Sequence, residues 1–218
     1  MRNVLVSVLH PDEKAFKINL DHELYGSFAE IGAGQEVARH FFRVGAAAGT
    51  IAKTMSAYDM SMSDAIYGKE ASGRYVCEER LSKMLTHEYD LLEDRLTTDR
   101  FKETKFFVFA DTVAAKSYGS NKPGHGWLGV CFQHEANAKP STVHLHIQLY
   151  DNQNYLQQEA LGRIGVNLIY ACFFFSHDRE QFISSLMDAL SVERIEIDMI
   201  RVNGPGFAHA DHRLLNLE

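Results

Sequence analysis

The sequence predicts one domain of the α+β or α/β class, in which helices flank a mixed β-sheet. Strand-like apolar or alternating segments intermix along the chain with segments of helical periodicity, a pattern typical of helices packed on a sheet. Two successive strand-like segments joined by a short polar loop indicate an antiparallel hairpin. No internal repeat, low-complexity tract or linker divides the 218 residues. A single domain over residues 1–218 is therefore expected.

The N-terminal part is expected to be extended. Residues 4–9 form a short apolar run that a His-Pro-Asp sequence stops, and residues 15–20 are interpreted as a second extended piece. Residues 26–31 are a third apolar run, which leads directly into the glycine corner of residues 32–34. A strand that turns sharply into a helix is the simplest interpretation of that corner.

A long helix is predicted from residue 35 to about residue 57. Gly45 and Gly49 lie four residues apart within it, on one face. Glycine weakens a helix by about 1 kcal/mol relative to alanine. Two glycines on one face therefore predict that another backbone packs very close to this helix.

The rest of the chain alternates between clear helical and strand patterns. Residues 78–96 repeat leucine and methionine at helical spacing and carry charge on the opposite face. Residues 105–110 are a continuous apolar run typical of a central buried strand. The remaining predictions are strands over residues 126–133, 142–150 and 194–200, and helices over residues 155–175 and 179–190.

Composition limits the class of protein. Apolar residues make up 45% of the chain, enough for a sizeable core, and the formal net charge is −7. A negative chain lacks the clustered positive charge that nucleic acids or anionic membranes require, so neither is expected as a partner. The three cysteines are far apart and form no CxxC pair, which favours free thiols in the cytoplasm. The expected protein partner is either a second copy of this chain, in a homo-oligomer, or a C-terminal domain beyond it.

The glycine corner is the first candidate ligand site. Gly32, Gly34 and Gln35 lie where a helix begins, and the free N–H groups of a helix N-terminus bind phosphates. Val37 stands where a dinucleotide fingerprint has its third glycine. Glu36, in the first turn, would repel an anion. The alternative is an ordinary glycine-rich connection.

Asp111 and Thr112 are the candidate catalytic residues. They come directly after the apolar run of residues 105–110, and ligands of open α/β sheets bind at the carboxyl ends of strands. A carboxylate there is suited to hold Mg²⁺, to act as a base or to bind a hydroxyl. The alternative is that either residue caps a following turn.

His144 and His146 form the candidate metal site. Alternation puts both imidazoles on one face of a strand, with Cα atoms about 7 Å apart. His125 and His134, at the ends of the neighbouring strand, are the candidates for a third ligand, with His125 preferred. Glu196 and Asp198 alternate on a further strand and supply a carboxylate if that strand is adjacent. The alternative is that these side chains are simply the polar face of a hairpin.

Six segments together resemble an uncharacterised bacterial protein family. The resemblance spans essentially the whole chain and includes YGSFAEIGAGQEVAR at residues 25–39 and FVFADTVAA at residues 107–115; the other segments are residues 16–21, 125–129, 157–162 and 165–170. Longer members of the family are often labelled nicotinate-nucleotide adenylyltransferase or TonB-dependent receptor. The resemblance implies a bacterial protein of which this chain is the N-terminal half, and it supplies no active-site residues.

Two functions follow from these patterns. The first is a cytoplasmic enzyme domain that binds a nucleotide or another small phosphorylated metabolite. In it the glycine corner contacts the phosphate, and Asp111 binds a metal ion or a hydroxyl group. The second is a non-catalytic assembly domain, whose contact surfaces are the Gly45 and Gly49 face and the apolar residues 164–175. A metal-binding domain built on the histidine pair is a third alternative.

Overall fold

A six-stranded mixed β-sheet flanked by helices confirms the predicted fold class. The structure is a computed structural model that describes residues 8–96, 102–117, 119 and 121–207. The strands are β1 (Leu24–Gly32), β2 (Ile51–Ala57), β3 (Lys105–Ala114), β4 (Gly124–Phe132), β5 (Ser141–Leu149) and β6 (Ile195–Asn203). The helices are α1 (Pro11–Leu20), α2 (Val37–Val44), α3 (Met60–Tyr67), α4 (Glu78–Arg95), α5 (Asn154–Phe174) and α6 (Arg179–Leu186).

The sheet has a parallel part and an antiparallel part. Its strand order is β2-β1-β3-β4-β5-β6. β1 is parallel to both of its neighbours, β2 and β3. From β3 onward each pair is antiparallel, including the predicted hairpin of β4 and β5. The carboxyl ends of β1 and β3 therefore lie at one edge of the sheet.

Helices cover the two faces of the sheet unequally. α1, α2, α5 and α6 pack on one face around a large core that includes Phe28, Phe109 and Ile164. α4 packs on the other face against β1, β3 and β4, around a smaller core. On this second face, the β5 side chains of His144 and His146 stay only half-buried. Within the described part of the chain, the α4 face is thus left partly uncovered at its β5–β6 end.

The prediction of extended structure for residues 15–20 is wrong, because they form the second half of α1. Pro11 occupies the first turn, where its missing N–H costs nothing. The N–H of Asp12 donates to Nδ1 of His10 at 3.2 Å, and the N–H of His10 donates to Glu13 at 2.9 Å. This reciprocal cap starts the helix without the serine or threonine that usually signals one. The strand predicted for residues 4–9 lies largely outside the described residues.

The single long helix predicted for residues 35–57 is also wrong. α2 ends at Gly45, which has a φ of +82°. A short 3-10 turn at Ala47–Gly49 follows, and then the chain enters the edge strand β2. A Cβ added to Gly45 or Gly49 would meet no atom within 4 Å. Among the residues that the structure describes, no backbone therefore packs closely against either glycine.

α4 and α5 lie close to their predicted positions and α6 is shorter than expected, whereas α3 was not predicted. α5 is buried over most of its length; its central residues pack into the protein's own core. No helix within the described ranges combines the length and the apolar composition that a bilayer-spanning segment requires.

Candidate functional site

Two buried carboxyl groups meet at the carboxyl edge of the parallel strands. Glu30 of β1 and Asp111 of β3 are direct partners in the strand register. Glu30 is 4% exposed and Asp111 is fully buried. Alternation along the strands puts both on the face of Phe28 and Phe109, beneath α2 and α5. The register of β1 and β3 thus creates an acid pair inside the protein.

Burial makes this pair hold its protons. It raises the pKa of Glu30 to about 7, against the opposing effect of backbone hydrogen bonds from Val37 and Ala38. It also raises the pKa of Asp111 well above its ordinary range, and the charge of Glu30 raises it further. Two carboxylates side by side in a low dielectric do not both ionise. The pair therefore retains at least one proton near neutral pH.

Glu30 occupies the N-terminus of α2. The N–H of Val37 donates to Oε1 of Glu30 at 2.8 Å, and the N–H of Ala38 donates to Oε2 at 3.4 Å. These donors are the ones that a bound phosphate would use. Because the protein's own carboxylate fills them, the predicted phosphate site at this helix end is already taken.

Gly34 lies directly against the Asp111 carboxyl group. A Cβ at Gly34 would be 2.3 Å from Oδ1 and 2.6 Å from Oδ2. Asp111 Oδ1 accepts a 3.3 Å hydrogen bond from the N–H of Ile31, whereas Oδ2 has no hydrogen-bond partner among the described residues. The glycine is needed so that the corner can close over Asp111. The space beside it is filled by that side chain and is not open to a phosphate.

The other corner residues also contact the protein itself. Gly32 has a φ of +78°, and a Cβ there would lie 2.4 Å from the carbonyl oxygen of Val113. Gln35 donates from Nε2 to the carbonyl of Gly32 at 3.3 Å and so braces the corner. The predicted residues Gly32, Gly34 and Gln35 therefore form a cover above Asp111.

Asp111 and Thr112 do not share a site. β3 extends to Ala114, so both residues lie inside the strand, neither caps a following turn, and their side chains point to opposite faces. Thr112 Oγ1 donates to the carbonyl of Tyr75 at 2.8 Å. That bond holds the segment before α4 against the carboxyl end of β3. Thr112 therefore positions the segment around Tyr75 and does not contribute to a site with Asp111.

The three predicted metal ligands divide into a pair and a single residue. His146 Nε2 lies 3.4 Å from His125 Nδ1, and His146 Nδ1 lies 2.6 Å from Asp198 Oδ1. His144 is turned to Glu78, with 2.9 Å between His144 Nδ1 and Glu78 Oε1. Within the described residues, no group of three or more His, Cys, Asp and Glu side chains is arranged to hold a metal ion. The predicted trio is therefore not assembled there.

Sequence reasoning missed Glu30, the partner that gives Asp111 its unusual environment. The only local signal is one carboxylate inside the apolar run of residues 26–31. Its meaning depends on the pairing of β1 with β3, two strands separated by more than 70 residues of chain. The burial of Asp111 was not predicted either, because the strand was expected to end at residue 110, whereas β3 continues to Ala114.

Comparison with known proteins identifies the fold. No protein-family model and no curated protein match the sequence. The competence/damage-inducible protein CihA from Agrobacterium tumefaciens is similar in structure, with a TM-score of 0.56 and 17% sequence identity over 74% of this chain and 94% of that one. A competence-damaged protein (CinA) superfamily protein from Enterobacter cloacae has a TM-score of 0.53 and 14% identity over 78% and 97% of the two chains.

A CinA superfamily protein from Klebsiella pneumoniae gives the same TM-score, 0.53, at 11% identity, over 80% of this chain and 96% of that one. None of these three proteins carries either label suggested by the sequence resemblance, which stays a prediction. At such low identity the similarity shows a shared fold. The chain thus has the α/β architecture of these competence-damage-inducible proteins.

Proposed function

We propose that this chain is an enzyme domain that binds a small nucleotide or another phosphorylated metabolite at the carboxyl edge of β1 and β3. The Glu30–Asp111 pair is its proton donor and acceptor. The observation that carries the proposal is the fully buried Asp111 carboxyl, whose Oδ2 lacks a hydrogen-bond partner among the described residues. Burying such an oxygen unpaired is costly, and groups of this kind cluster at functional sites.

The chemistry of the pair fits acid–base catalysis. A carboxyl group whose pKa lies near 7, as that of Glu30 does, exchanges its proton readily at neutral pH. Asp111 Oδ2 is the atom left to contact a substrate hydroxyl or amine. Access requires the glycine corner to move, since Gly34 now covers that carboxyl group. The cover would also exclude water from the reacting atoms.

The phosphate of the ligand would not sit on α2, because Glu30 fills that helix end. A side-chain cation follows β3 at the same edge of the sheet instead. This cation is Lys116, whose Nζ lies 2.6 Å from Oδ1 of Asn152. It is the group we assign to a phosphate.

A Mg²⁺ ion, the cofactor predicted from Asp111, would have to displace protons from the pair. Cations and protons compete for the same carboxylate oxygens. Mg²⁺ binding at this site would therefore strengthen as the pH rises above 7.

Thermal unfolding in the presence of nucleoside phosphates and sugar phosphates tests the proposal. A ligand at 100 times its dissociation constant stabilises the native state by about 2.7 kcal/mol. We expect one class to raise the melting temperature of the wild-type chain in a saturable way. The shift should be lost in Asp111→Asn, which preserves the shape of the side chain, and weakened in Lys116→Ala.

Lys17→Ala is the matched control. Lys17 is exposed on α1 and belongs to no part of the proposed site. It should leave the ligand response unchanged. The proposal fails if no phosphorylated compound shifts the wild-type transition, or if Asp111→Asn responds like the wild type.

The two features behind the assembly alternative differ in the structure. Residues 164–175 belong mostly to α5, whose Ile164, Leu168 and Cys172 are fully buried in the core, so this segment contributes little contact surface. Gly45 and Gly49 lie at turns, and Gly49 is exposed. A homo-oligomer and a further C-terminal domain remain predictions.

A further inference from the structure

We propose that His125 and His146 are the protein ligands of one divalent transition-metal ion, with Zn²⁺ as the best fit, and that Asp198 orients His146 from behind. This site lies on the α4 face of the sheet, opposite the face that carries Glu30 and Asp111. It is therefore independent of the proposed enzyme site. His144, the third member of the predicted trio, does not belong to it.

The separation of the two ring nitrogens matches a shared metal ion. His125 Nδ1 and His146 Nε2 lie 3.4 Å apart. Two nitrogens bound tetrahedrally to one zinc ion, each about 2.05 Å from it, are about 3.3 Å apart. The two nitrogens are also within hydrogen-bonding distance of each other, although their separation exceeds the usual range of about 2.7–3.2 Å for an N–H···O bond. The spacing is thus already that of the edge of a zinc tetrahedron.

The tautomer of His146 is set by Asp198. A carboxylate 2.6 Å from Nδ1 keeps the proton on that nitrogen, so the lone pair of Nε2 faces His125. Gln148 donates from Nε2 to the other Asp198 oxygen at 3.1 Å and fixes the carboxylate in turn. A carboxylate hydrogen-bonded behind a ligating histidine is the common outer arrangement of zinc sites.

The rings are also held sterically, yet they remain accessible. The centroid of the His146 ring lies 4.8 Å from a ring centroid of Trp127, which restricts rotation of the imidazole. Both histidines are half-buried, at the end of the sheet face that α4 leaves open. Two of the four tetrahedral positions are therefore left for water or a substrate oxygen, one more than in a catalytic zinc site with three protein ligands. With only two protein ligands, binding should be weaker than in structural zinc sites.

Calorimetric titration of the untagged 218-residue chain with Zn²⁺ tests the site. We expect one saturable site in the wild-type chain. His125→Gln and His146→Gln should each weaken its affinity by more than tenfold. Asp198→Asn should weaken it by about 10- to 100-fold, the usual effect of removing an outer-shell partner. His144→Gln is the matched control, since it removes an imidazole from the same strand and face and should change nothing.

Imidazole ¹⁵N chemical shifts identify the atoms involved. Zn²⁺ should move the signals of His125 Nδ1 and His146 Nε2 and leave those of His144 unchanged. The proposal is overturned if Zn²⁺ shows no saturable binding, if His144→Gln weakens it as much as His146→Gln, or if the two nitrogens do not respond. The last result would leave a proton-sharing histidine pair without metal. Asp111→Asn should bind Zn²⁺ normally, which separates this test from that of the enzyme site.

Discussion

The Asp111 carboxyl group fills the position that a side chain on Gly34 would need: a Cβ there would lie 2.3 Å from Oδ1. The glycine corner and the strand end are therefore one structural unit. The corner closes over Asp111, and the register of β1 and β3 places Glu30 beside it. The glycine that resembles part of a phosphate-binding loop thus serves the protein's own carboxyl pair.

Gly34→Ala should destabilise the protein. The new methyl group meets a buried carboxyl on a central strand, and forced overpacking of this kind costs about 1–3 kcal/mol. Gly49→Ala is the control, because a Cβ there meets no atom within 4 Å. Urea unfolding of the two variants and the wild type measures the difference. Equal stabilities for the two variants would contradict the close approach of Gly34 and Asp111.

The Glu30–Asp111 pair should stabilise the wild-type chain less as the pH rises from about 4.5 to 7. Because burial raises the pKa of Glu30 from 4.5 to about 7, Glu30 binds more protons in the folded state than in the unfolded chain in this range, so its titration favours unfolding as the pH rises. Burial also raises the pKa of Asp111 well above its ordinary range, and Asp111→Asn removes that second proton-binding group. The variant should therefore gain stability relative to the wild type as the pH rises.

Urea titrations of both proteins at pH 5, 6, 7 and 8 give this difference directly. The many other titrating groups are common to both chains and cancel in the comparison. Parallel stability curves for the two proteins would show that the pair does not hold its protons in the folded state.

Lys14→Ala should be among the most destabilising substitutions in α1. Lys14 is 1% exposed, and its Nζ lies 2.7 Å from Asp188, 2.9 Å from Asn167 Oδ1 and 2.9 Å from the carbonyl of Ser185. Removing one partner of a buried pair costs about 3–5 kcal/mol. Lys17→Ala, on the exposed face of the same helix, should cost less than about 0.5 kcal/mol. Thermal unfolding of both variants measures the difference in stability. Similar melting temperatures would contradict a stabilising contact between Lys14 and the α5–α6 region.

The sequence predicted the antiparallel half of the fold better than the parallel half. β5 alternates strictly and β3 is a continuous apolar run, so local pattern alone indicates both strands. β2 is a half-exposed edge strand whose pattern is weak, and its structure comes from parallel pairing with β1. Long-range pairing of this kind overrides local propensity. The helix cap of α1 was missed because His10 provides it.

The candidate site shows the same division. Asp111 was identified because it directly follows an apolar run, at the expected carboxyl end of a strand. Glu30 was not, since only the β1–β3 register brings it to Asp111. Alternation predicted His144 and His146 as a pair with His125 beside them, whereas in the structure His144 contacts Glu78, at the start of a distant helix. Contacts between elements far apart in the chain are what the sequence alone did not indicate.

The central claim is that the Glu30–Asp111 pair retains at least one proton at neutral pH. A ¹³C NMR titration of the side-chain carboxyl carbons, assigned with Glu30→Gln and Asp111→Asn, measures it directly. We expect the Glu30 signal to titrate near pH 7 and the Asp111 signal to titrate well above the ordinary range of an aspartate. If both carboxyl groups ionise below pH 5, the buried acid pair does not exist as described, and the proton-transfer role assigned to it falls with it.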